Sequence, residues 1–266
     1  MGRSTGGMIS VVIPVWREHP ETLRVLHARL AQALERVGVE WELILVDDGS
    51  DGLTEATLLG LAAADGRVRL MRLDRRSGQE TALVTGMLAV RGELYCTMDC
   101  DLENRPEDVA LLIATLRQGY DLVLGKRRRR QGLSVARRLG SWFFNRAMDL
   151  RWRTTISDWG CGFSAGTREL LEVMRERLTQ WDGEPLKVGF ARHATRWTEV
   201  EVTQDARPYG RSGYSWMQLC ALALKTLVKG NTVTPWRDHG GARGTEHAAS
   251  LVPPSARTQA HSIELP

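Results

Sequence analysis

The stretch EWELILVDDGSDG, residues 40–52, sets an apolar run directly before a cluster of acidic and turn-forming residues. Residues 43–46 are all Leu, Ile or Val, which is typical of a buried strand. The strand ends at the polar turn 47–50, and a helical pattern begins at residue 53. This order of strand, polar turn and helix predicts one unit of an α/β fold.

The same alternation continues on both sides of this stretch. Strands are predicted at residues 8–16, 40–47, 68–74, 93–99 and 121–127, and helices at 22–37, 53–66, 78–92 and 106–120. Strands that alternate with helices predict parallel βαβ units with right-handed crossovers. Ligands of such sheets bind at the carboxyl ends of the strands. We therefore expect the functional residues at that edge.

The second half of the chain has a different pattern. Residues 134–152 combine apolar and basic residues at helical spacing, which suits either a helix on a membrane surface or one that covers the sheet; we favour the second. The remaining predicted elements are a turn, strand and helix over 157–174, a strand and loop over 200–215, and a helix over 216–230. Residues 238–266 have the composition of a disordered tail. This organisation predicts a single domain over 1–237.

Composition restricts the class of protein. The chain has 266 residues, of which 42% are hydrophobic, and this is enough for a sizeable core. Its four cysteines show no CxxC spacing, which argues against a zinc site and a disulfide framework and indicates a reducing cytosol. The N-terminus lacks the apolar core of a secretory signal, and the apolar run 219–224 is too short for a transmembrane helix. We expect a cytoplasmic protein, with peripheral contact to the inner face of the membrane as the alternative.

Basic residues are unevenly distributed. The net charge is only +4, but residues 126–130 read KRRRR, with Arg137 and Arg138 close behind. Such a run suits phosphate, anionic lipid or nucleic acid, and it is also common in solvated loops. A nucleic-acid binder ranks last, because aromatic and basic residues do not interleave on one face.

Two acidic pairs follow predicted strands. Asp47 and Asp48 end one strand, and Asp99 and Asp101 end what we expect to be a neighbouring strand, so both pairs should frame one site at the carboxyl edge. In an extended segment, side chains at i and i+2 share a face, so Asp99 and Asp101 can reach one cation. Mg²⁺ and Mn²⁺ are held by one or two carboxylates together with substrate phosphates. A diphosphate bound to such a cation becomes a better leaving group.

Four motifs in the first half resemble the family 2 glycosyltransferases with the GT-A (Rossmann-like) fold. The motifs are VVIPVWRE at 11–18, ILVDDGSDGLT at 44–54, RRSGQETALVTGM at 75–87 and MDCDLENRPEDV at 98–109. The nearest branch is that of polyprenyl-phosphate glycosyltransferases and dolichol-phosphate mannosyltransferases. The resemblance implies a mostly parallel sheet flanked by helices, with a nucleotide-binding half at about 9–130 and a C-terminal, largely helical acceptor half at about 131–237. It also implies a nucleotide site formed by Pro14, Glu18, Asp48, Gly78, Gln79 and Asp99, and a metal site formed by Asp101 and Asp99.

Three further segments resemble the acceptor side of that family. They are DLVLGKRRRR at 121–130, SDWGCGF at 157–163 and RPYGRSGYS at 207–215. The resemblance implies catalytic roles for Asp158 and Arg127, and acceptor or phosphate binding by Arg127, Arg130, Arg211 and Ser212. Gly213 and Ser164 depart from the pattern, because the family usually has Lys and often Arg there. A polar tail also stands where membrane-bound relatives have transmembrane helices.

The resemblance implies a metal-dependent, inverting glycosyltransferase. We expect Mg²⁺ or Mn²⁺ as the cofactor, a UDP- or GDP-sugar as the donor and a polyprenyl-phosphate-like lipid as the acceptor, in cell-envelope or glycan biosynthesis. Two alternatives stay open. A soluble hydroxyl acceptor would need Asp158 as a general base, and a protein that binds nucleotide without turnover would explain the changes at Gly213 and Ser164.

Overall fold

The protein is seen in a computed structural model that describes residues 7–127, 135–181, 184–207 and 261–262, with backbone alone at 135–143 and 261–262. The strands are β1 Ile9–Val15, β2 Trp41–Asp47, β3 Val68–Arg72, β4 Leu94–Thr97, β5 Leu122–Arg127, β6 Ser164–Thr167, β7 Trp197–Val202 and β8 His261–Ser262. The helices are α1 Pro20–Val37, α2 Gly52–Ala64, α3 Gln79–Leu88, α4 Val109–Leu116, α5 Val135–Trp152, α6 Arg168–Thr179 and α7 Leu186–His193. A 3-10 helix, Pro106–Asp108, precedes α4.

The strands form one mixed sheet in the order β7-β5-β6-β4-β1-β2-β3-β8. β1 pairs parallel with both β2 and β4, β2 with β3, and β5 with β7. Only β6 and β8 run antiparallel to their neighbours among the described strands. The prediction of a mostly parallel sheet flanked by helices is therefore confirmed.

Alternate residues of the central strands belong to two separate cores. Val11 of β1 and Leu43 of β2 lie in one core, whereas Val12 and Ile44 lie in the other. Helices α1 and α4 cover the first face, and α3 and α6 cover the second. Because both faces are buried, these strands are continuously apolar, which is the pattern that residues 43–46 show.

Helix α1 illustrates how local sequence sets the boundaries of an element. The His19 side chain accepts a hydrogen bond from the Glu21 N–H, and Pro20 occupies the first helical position. Gly38 ends the helix in the left-handed conformation, with φ of 74°. These two caps hold the apolar stripe of the helix, which includes Leu23, Leu26 and Leu30, against the sheet.

The acceptor half differs from the expectation in two places. Helix α7 was not predicted, and β6 runs antiparallel between β4 and β5. Helix α5 packs inward at its C-terminal end, where Met148 and Trp152 cluster with Val188 of α7, so this end packs on another helix and not on the sheet. None of the described helices is both long and apolar enough for a membrane span.

Several sequence-based expectations fall outside the described residues. They include the helix at 216–230 and most of the tail at 238–266. Residues 261–262 differ from the expected disorder, because β8 pairs with Met71 and Arg72 of β3. The two acidic pairs also need a correction: β2 and β4 are not neighbours but lie on either side of β1. The expected common edge of the sheet is nevertheless formed.

Candidate active site

The loop before α3 connects the two acidic pairs. The buried Asp48 carboxylate accepts hydrogen bonds from the backbone N–H groups of Ser77, at 2.5 Å, and Gly78, at 2.9 Å. Gly78 has φ of 101°, a conformation that favours glycine. The next residue, Gln79, donates from Nε2 to Asp99 Oδ1 at 2.6 Å. One short loop therefore links Asp48 at the end of β2 to Asp99 beyond β4.

The other residues expected near the nucleotide lie along the same edge. Pro14 is buried in β1, opposite Val46 of β2. The Glu18 carboxylate lies 3.9 Å from the thiol of Cys100. In the sequence, Cys100 stands between the two candidate metal ligands, Asp99 and Asp101. Asp47 has a local role, because its carboxylate accepts the Ser50 N–H at 2.8 Å. The structure thus brings Glu18, Asp48 and the Asp99 segment to one edge.

Asp99 and Asp101 lie in a partly desolvated, strongly acidic setting. Burial, with the nearby Asp101 charge, raises the pKa of the Asp99 carboxyl to about 6. Burial also raises the pKa of Asp101, even though its Oδ1 accepts the Glu103 N–H at 2.9 Å. Keeping two neighbouring carboxylates charged in this setting is costly, and a divalent cation bound between them would offset that cost. No group of three or more His, Cys, Asp and Glu side chains forms a metal site among the described residues.

Arg207 is the cation that Asp101 contacts in the described part of the chain. Its Nη2 lies 2.6 Å from Asp101 Oδ2, and its Nε donates to Glu103 at 2.7 Å. Arg207 was not singled out from the sequence, although this residue opens the RPYGRSGYS motif. The Arg207 guanidinium and a metal ion would compete for the Asp101 carboxylate. Removing Arg207 should therefore let Asp101 bind a metal ion more tightly.

Arg207→Ala is expected to bind Mn²⁺ about 3–10-fold more tightly in the absence of donor, because a competing partly buried ion pair is lost. The free Mn²⁺ signal in electron paramagnetic resonance measures this affinity directly. Arg105→Ala is the matched control, because Arg105 makes its ion pair with Asp205 instead, at 2.9 Å. An unchanged Mn²⁺ affinity in Arg207→Ala would show that Arg207 does not compete with the cation.

Arg127 and Asp158 form a bidentate ion pair. Arg127 Nε donates to Asp158 Oδ2 and Nη2 donates to Oδ1, both at 2.7 Å. Asp158 also accepts the backbone N–H of Arg127 and that of Gly160, each at 3.0 Å. Burial alone would raise the pKa of the Asp158 carboxyl, but the hydrogen bonds and charge of Arg127 hold it below its ordinary value. Asp158 is therefore poorly suited to accept a proton.

Two glycines let the 157–163 loop contact both charged groups. A Cβ on Gly160 would collide with the Arg127 guanidinium, and one on Gly162 would lie 2.6 Å from the Asp99 carboxyl carbon. Neither contact leaves room for a side chain, because both charged groups are held by other hydrogen bonds. The loop thus packs through its backbone against Arg127 and Asp99 at once.

Gly162→Ala is expected to lower metal-dependent turnover by about 10–100-fold, because a shift of about 1 Å in a catalytic group has effects of that size. The expected readouts are weaker Mn²⁺ binding and a small loss of thermal stability. Gly60→Ala is the control, since a Cβ there meets nothing within 4 Å on helix α2. It should be neutral or stabilise by about 0.5–1 kcal/mol. Wild-type Mn²⁺ affinity in Gly162→Ala would contradict the tight contact with Asp99.

Some of the other residues near Asp158 and Arg127 can be located in the structure, and some of the expected ones cannot. Ser164 lies in β6, and its hydroxyl is 2.8 Å from that of Thr97. Lys187, which the sequence did not single out, donates to the backbone carbonyl of Asp158 at 2.9 Å. The expected phosphate ligands Arg130, Arg211 and Ser212 lie outside the described residues, as does Gly213.

A family comparison gives this geometry its context. Residues 10–175 match the family model described as Glycosyl transferase family 2. The chain belongs to glycosyl transferase family 2. The resemblance seen in the four N-terminal motifs is thereby confirmed, because the matched range contains all of them.

Relatives of this family 2 chain carry more specific names. It is 37% identical over 233 residues to the undecaprenyl-phosphate 4-deoxy-4-formamido-L-arabinose transferase of Pseudomonas fluorescens (strain SBW25), covering 86% of this chain and 66% of the relative. It is 35% identical over 231 residues to the protein of the same name from Salmonella paratyphi B (strain ATCC BAA-1250 / SPB7), covering 86% and 69%. The chain thus spans about two thirds of the length of these curated relatives.

Solved structures share the fold of this family 2 chain. Glucosyl-3-phosphoglycerate synthase from Mycobacterium tuberculosis, in complex with Mn²⁺, UDP-glucose and phosphoglyceric acid, is 19% identical with a TM-score of 0.55, covering 84% of this chain and 79% of that one. A mannosyltransferase from Pyrobaculum calidifontis, in complex with GDP-mannose and Mn²⁺, is 17% identical with a TM-score of 0.50, covering 77% and 59%. Both neighbours were solved with a nucleotide sugar and a divalent metal.

Proposed function

We propose that this family 2 glycosyltransferase moves a sugar from a nucleoside diphosphate sugar to a polyprenyl phosphate, with inversion at the anomeric carbon. The observation that carries the proposal is the bidentate pair between Arg127 and Asp158. A phosphate acceptor is already ionised at neutral pH and needs positive charge, whereas a hydroxyl acceptor needs a general base. The site holds the Arg127 guanidinium in place and keeps the Asp158 carboxylate occupied, so Asp158 is not available as a base, which favours the phosphate.

The names of the curated relatives support the same acceptor. Both relatives described above are undecaprenyl-phosphate transferases at 35–37% identity. Because the acceptor is a membrane lipid, the reaction takes place at a membrane surface. We place it at the cytoplasmic face, where nucleotide sugars are made, and assign the product to cell-envelope glycan biosynthesis.

The donor side follows from the acidic edge. Asp99 and Asp101 would hold Mg²⁺ or Mn²⁺ together with the donor diphosphate, and the cation would neutralise the charge that develops on the leaving group. Asp48, Gly78 and Gln79 would position the nucleotide, because Asp48 fixes the loop that carries the other two. UDP and GDP are both candidates for the nucleotide.

The test is the release of nucleoside diphosphate from a panel of UDP- and GDP-sugars, with Mg²⁺ or Mn²⁺ present. Each donor is incubated with a short-chain polyprenyl phosphate, with the matching polyprenol, or with neither. Release that requires the phosphate-bearing lipid would support the proposal and identify the donor. Release with the polyprenol instead would favour the hydroxyl acceptor, and nucleotide binding without any release would favour a non-catalytic protein.

A further inference from the structure

Helix α7 brings a lysine against the backbone of Asp158, beside the Arg127–Asp158 ion pair. The helix begins at Leu186, directly after Pro185, and Lys187 lies in its first turn. Its ammonium donates to the Asp158 backbone carbonyl at 2.9 Å and makes no other hydrogen bond to the described residues. The side chain is partly buried. Lys187 therefore keeps two N–H groups for a further partner.

The surroundings of Lys187 are both acidic and basic. Burial lowers the pKa of the Lys187 ammonium below its ordinary value, and the charges of Asp158 and Asp99 offset this effect only in part. The hydrogen bond to the Asp158 carbonyl places the ammonium beside the Arg127–Asp158 ion pair. A partly buried cation without a carboxylate hydrogen-bonded to it is costly, and a bound anion would offset that cost.

Arg127 alone is a weak ligand for a phosphate. Its Nε and Nη2 are both engaged by Asp158, which also neutralises its charge. Only Nη1 has no partner among the described residues. A phosphate bound by Arg127 therefore meets a pair with little net charge. A second cation beside the pair would restore the positive potential that a phosphate ligand needs.

We propose that Lys187 and Arg127 together bind the phosphate of the lipid acceptor. Asp158 orients both cations, with its carboxylate holding Arg127 and its backbone carbonyl holding Lys187. The donor diphosphate would be neutralised elsewhere, by the cation that Asp99 and Asp101 would hold. This inference rests on the function proposed above, and it adds a binding residue on the acceptor side.

The test compares Lys187→Met with Lys187→Arg. We expect Lys187→Met to raise the KM for a short-chain polyprenyl phosphate by about 10–50-fold, the effect of losing one charge-assisted hydrogen bond. The KM for the donor should change less than about twofold, and Lys187→Arg should recover most of the lipid affinity because it keeps the charge. Arg36→Ala, at the exposed end of α1, is the control and should behave as wild type.

Calorimetric titrations separate the alternatives without turnover. Binding of nucleoside diphosphate with Mn²⁺ should be unchanged in Lys187→Met, whereas binding of the lipid phosphate should weaken. A matching loss of nucleotide affinity would assign Lys187 to the donor and overturn the proposal. A third outcome is lower thermal stability, an equal loss of affinity for both substrates and no recovery of affinity in Lys187→Arg. This outcome would show that Lys187 has only a structural role and would overturn the proposal. If the wild type itself shows neither lipid-dependent release nor lipid-phosphate binding, the proposed function fails together with this inference.

Discussion

Replacing Asp101 with Asn is expected to lower the transfer rate by about 10³-fold or more, because a cation held by Asp99 and Asp101 to stabilise the leaving diphosphate would lose a charged ligand. The substitution is nearly isosteric. The Asn side-chain oxygen can still accept the Glu103 N–H that Asp101 accepts at 2.9 Å, so the turn should persist. The expected loss therefore comes from charge and not from misfolding.

The measurement for Asp101→Asn combines nucleoside diphosphate release with a Mn²⁺ titration. Both should fall, while the circular dichroism spectrum and the melting temperature stay close to those of the wild type. Glu35→Gln removes an exposed carboxylate from α1 and serves as the control. If Asp101→Asn keeps both its Mn²⁺ affinity and its turnover, Asp101 is not a metal ligand.

Arg127→Met is expected to reduce turnover with polyprenyl phosphate by about 10²–10³-fold, the range seen when one preorganised group that stabilises charge is removed. It should also destabilise the fold by about 1–3 kcal/mol, since the Asp158 carboxylate loses its partner in a partly exposed site. The double variant Arg127→Met with Asp158→Asn removes both charges and isolates the catalytic part. It should regain most of the stability and none of the activity.

Asp158→Asn alone distinguishes the two acceptor classes. With a phosphate acceptor, the loss should be only about 10-fold, because Asp158 then positions Arg127 and takes no proton. With a hydroxyl acceptor, the general base would be lost, and the effect should be as large as that of Arg127→Met. Turnover measured across pH adds a second test: a limb that rises with pH in the wild type and is absent in Asp158→Asn would support the base.

The ion pair also makes a pH-dependent contribution to stability. The pKa of Asp158 is held below its ordinary value of 3.8, so the folded state binds this proton less readily than the unfolded chain. The stabilisation is therefore present at neutral pH and is lost as the pH falls below that ordinary value. Acid unfolding of the double variant should lack this component.

The acidic edge of the site was predictable from the sequence. Asp99 and Asp101 end a strand pattern, and the rule for open α/β sheets places such residues at the ligand-binding edge. Asp48 was placed by the same argument. Its hydrogen bonds to the backbone of Ser77 and Gly78 were not predictable, because they depend on how a loop folds back from the next unit.

The acceptor side was less accessible to sequence reasoning. Asp158 and Arg127 were each singled out, but their pairing depends on β6 running antiparallel beside β5, and a strand of only four residues carries little signal. Helix α7 has eight residues and no strong apolar periodicity, so Lys187 gave no sign of its position. Arg207 was overlooked because its importance comes from the fold, which sets it against Asp101.

The close contacts of Gly160 and Gly162 have a consequence for engineering. Because the 157–163 loop meets Arg127 and Asp99 through main-chain atoms, the spacing between the two charges is fixed by the backbone. No library of side chains at these two positions can widen or narrow it without displacing one of the charges. Efforts to retarget the enzyme to other sugars or lipids should therefore randomise the segments around this loop and leave its glycines intact.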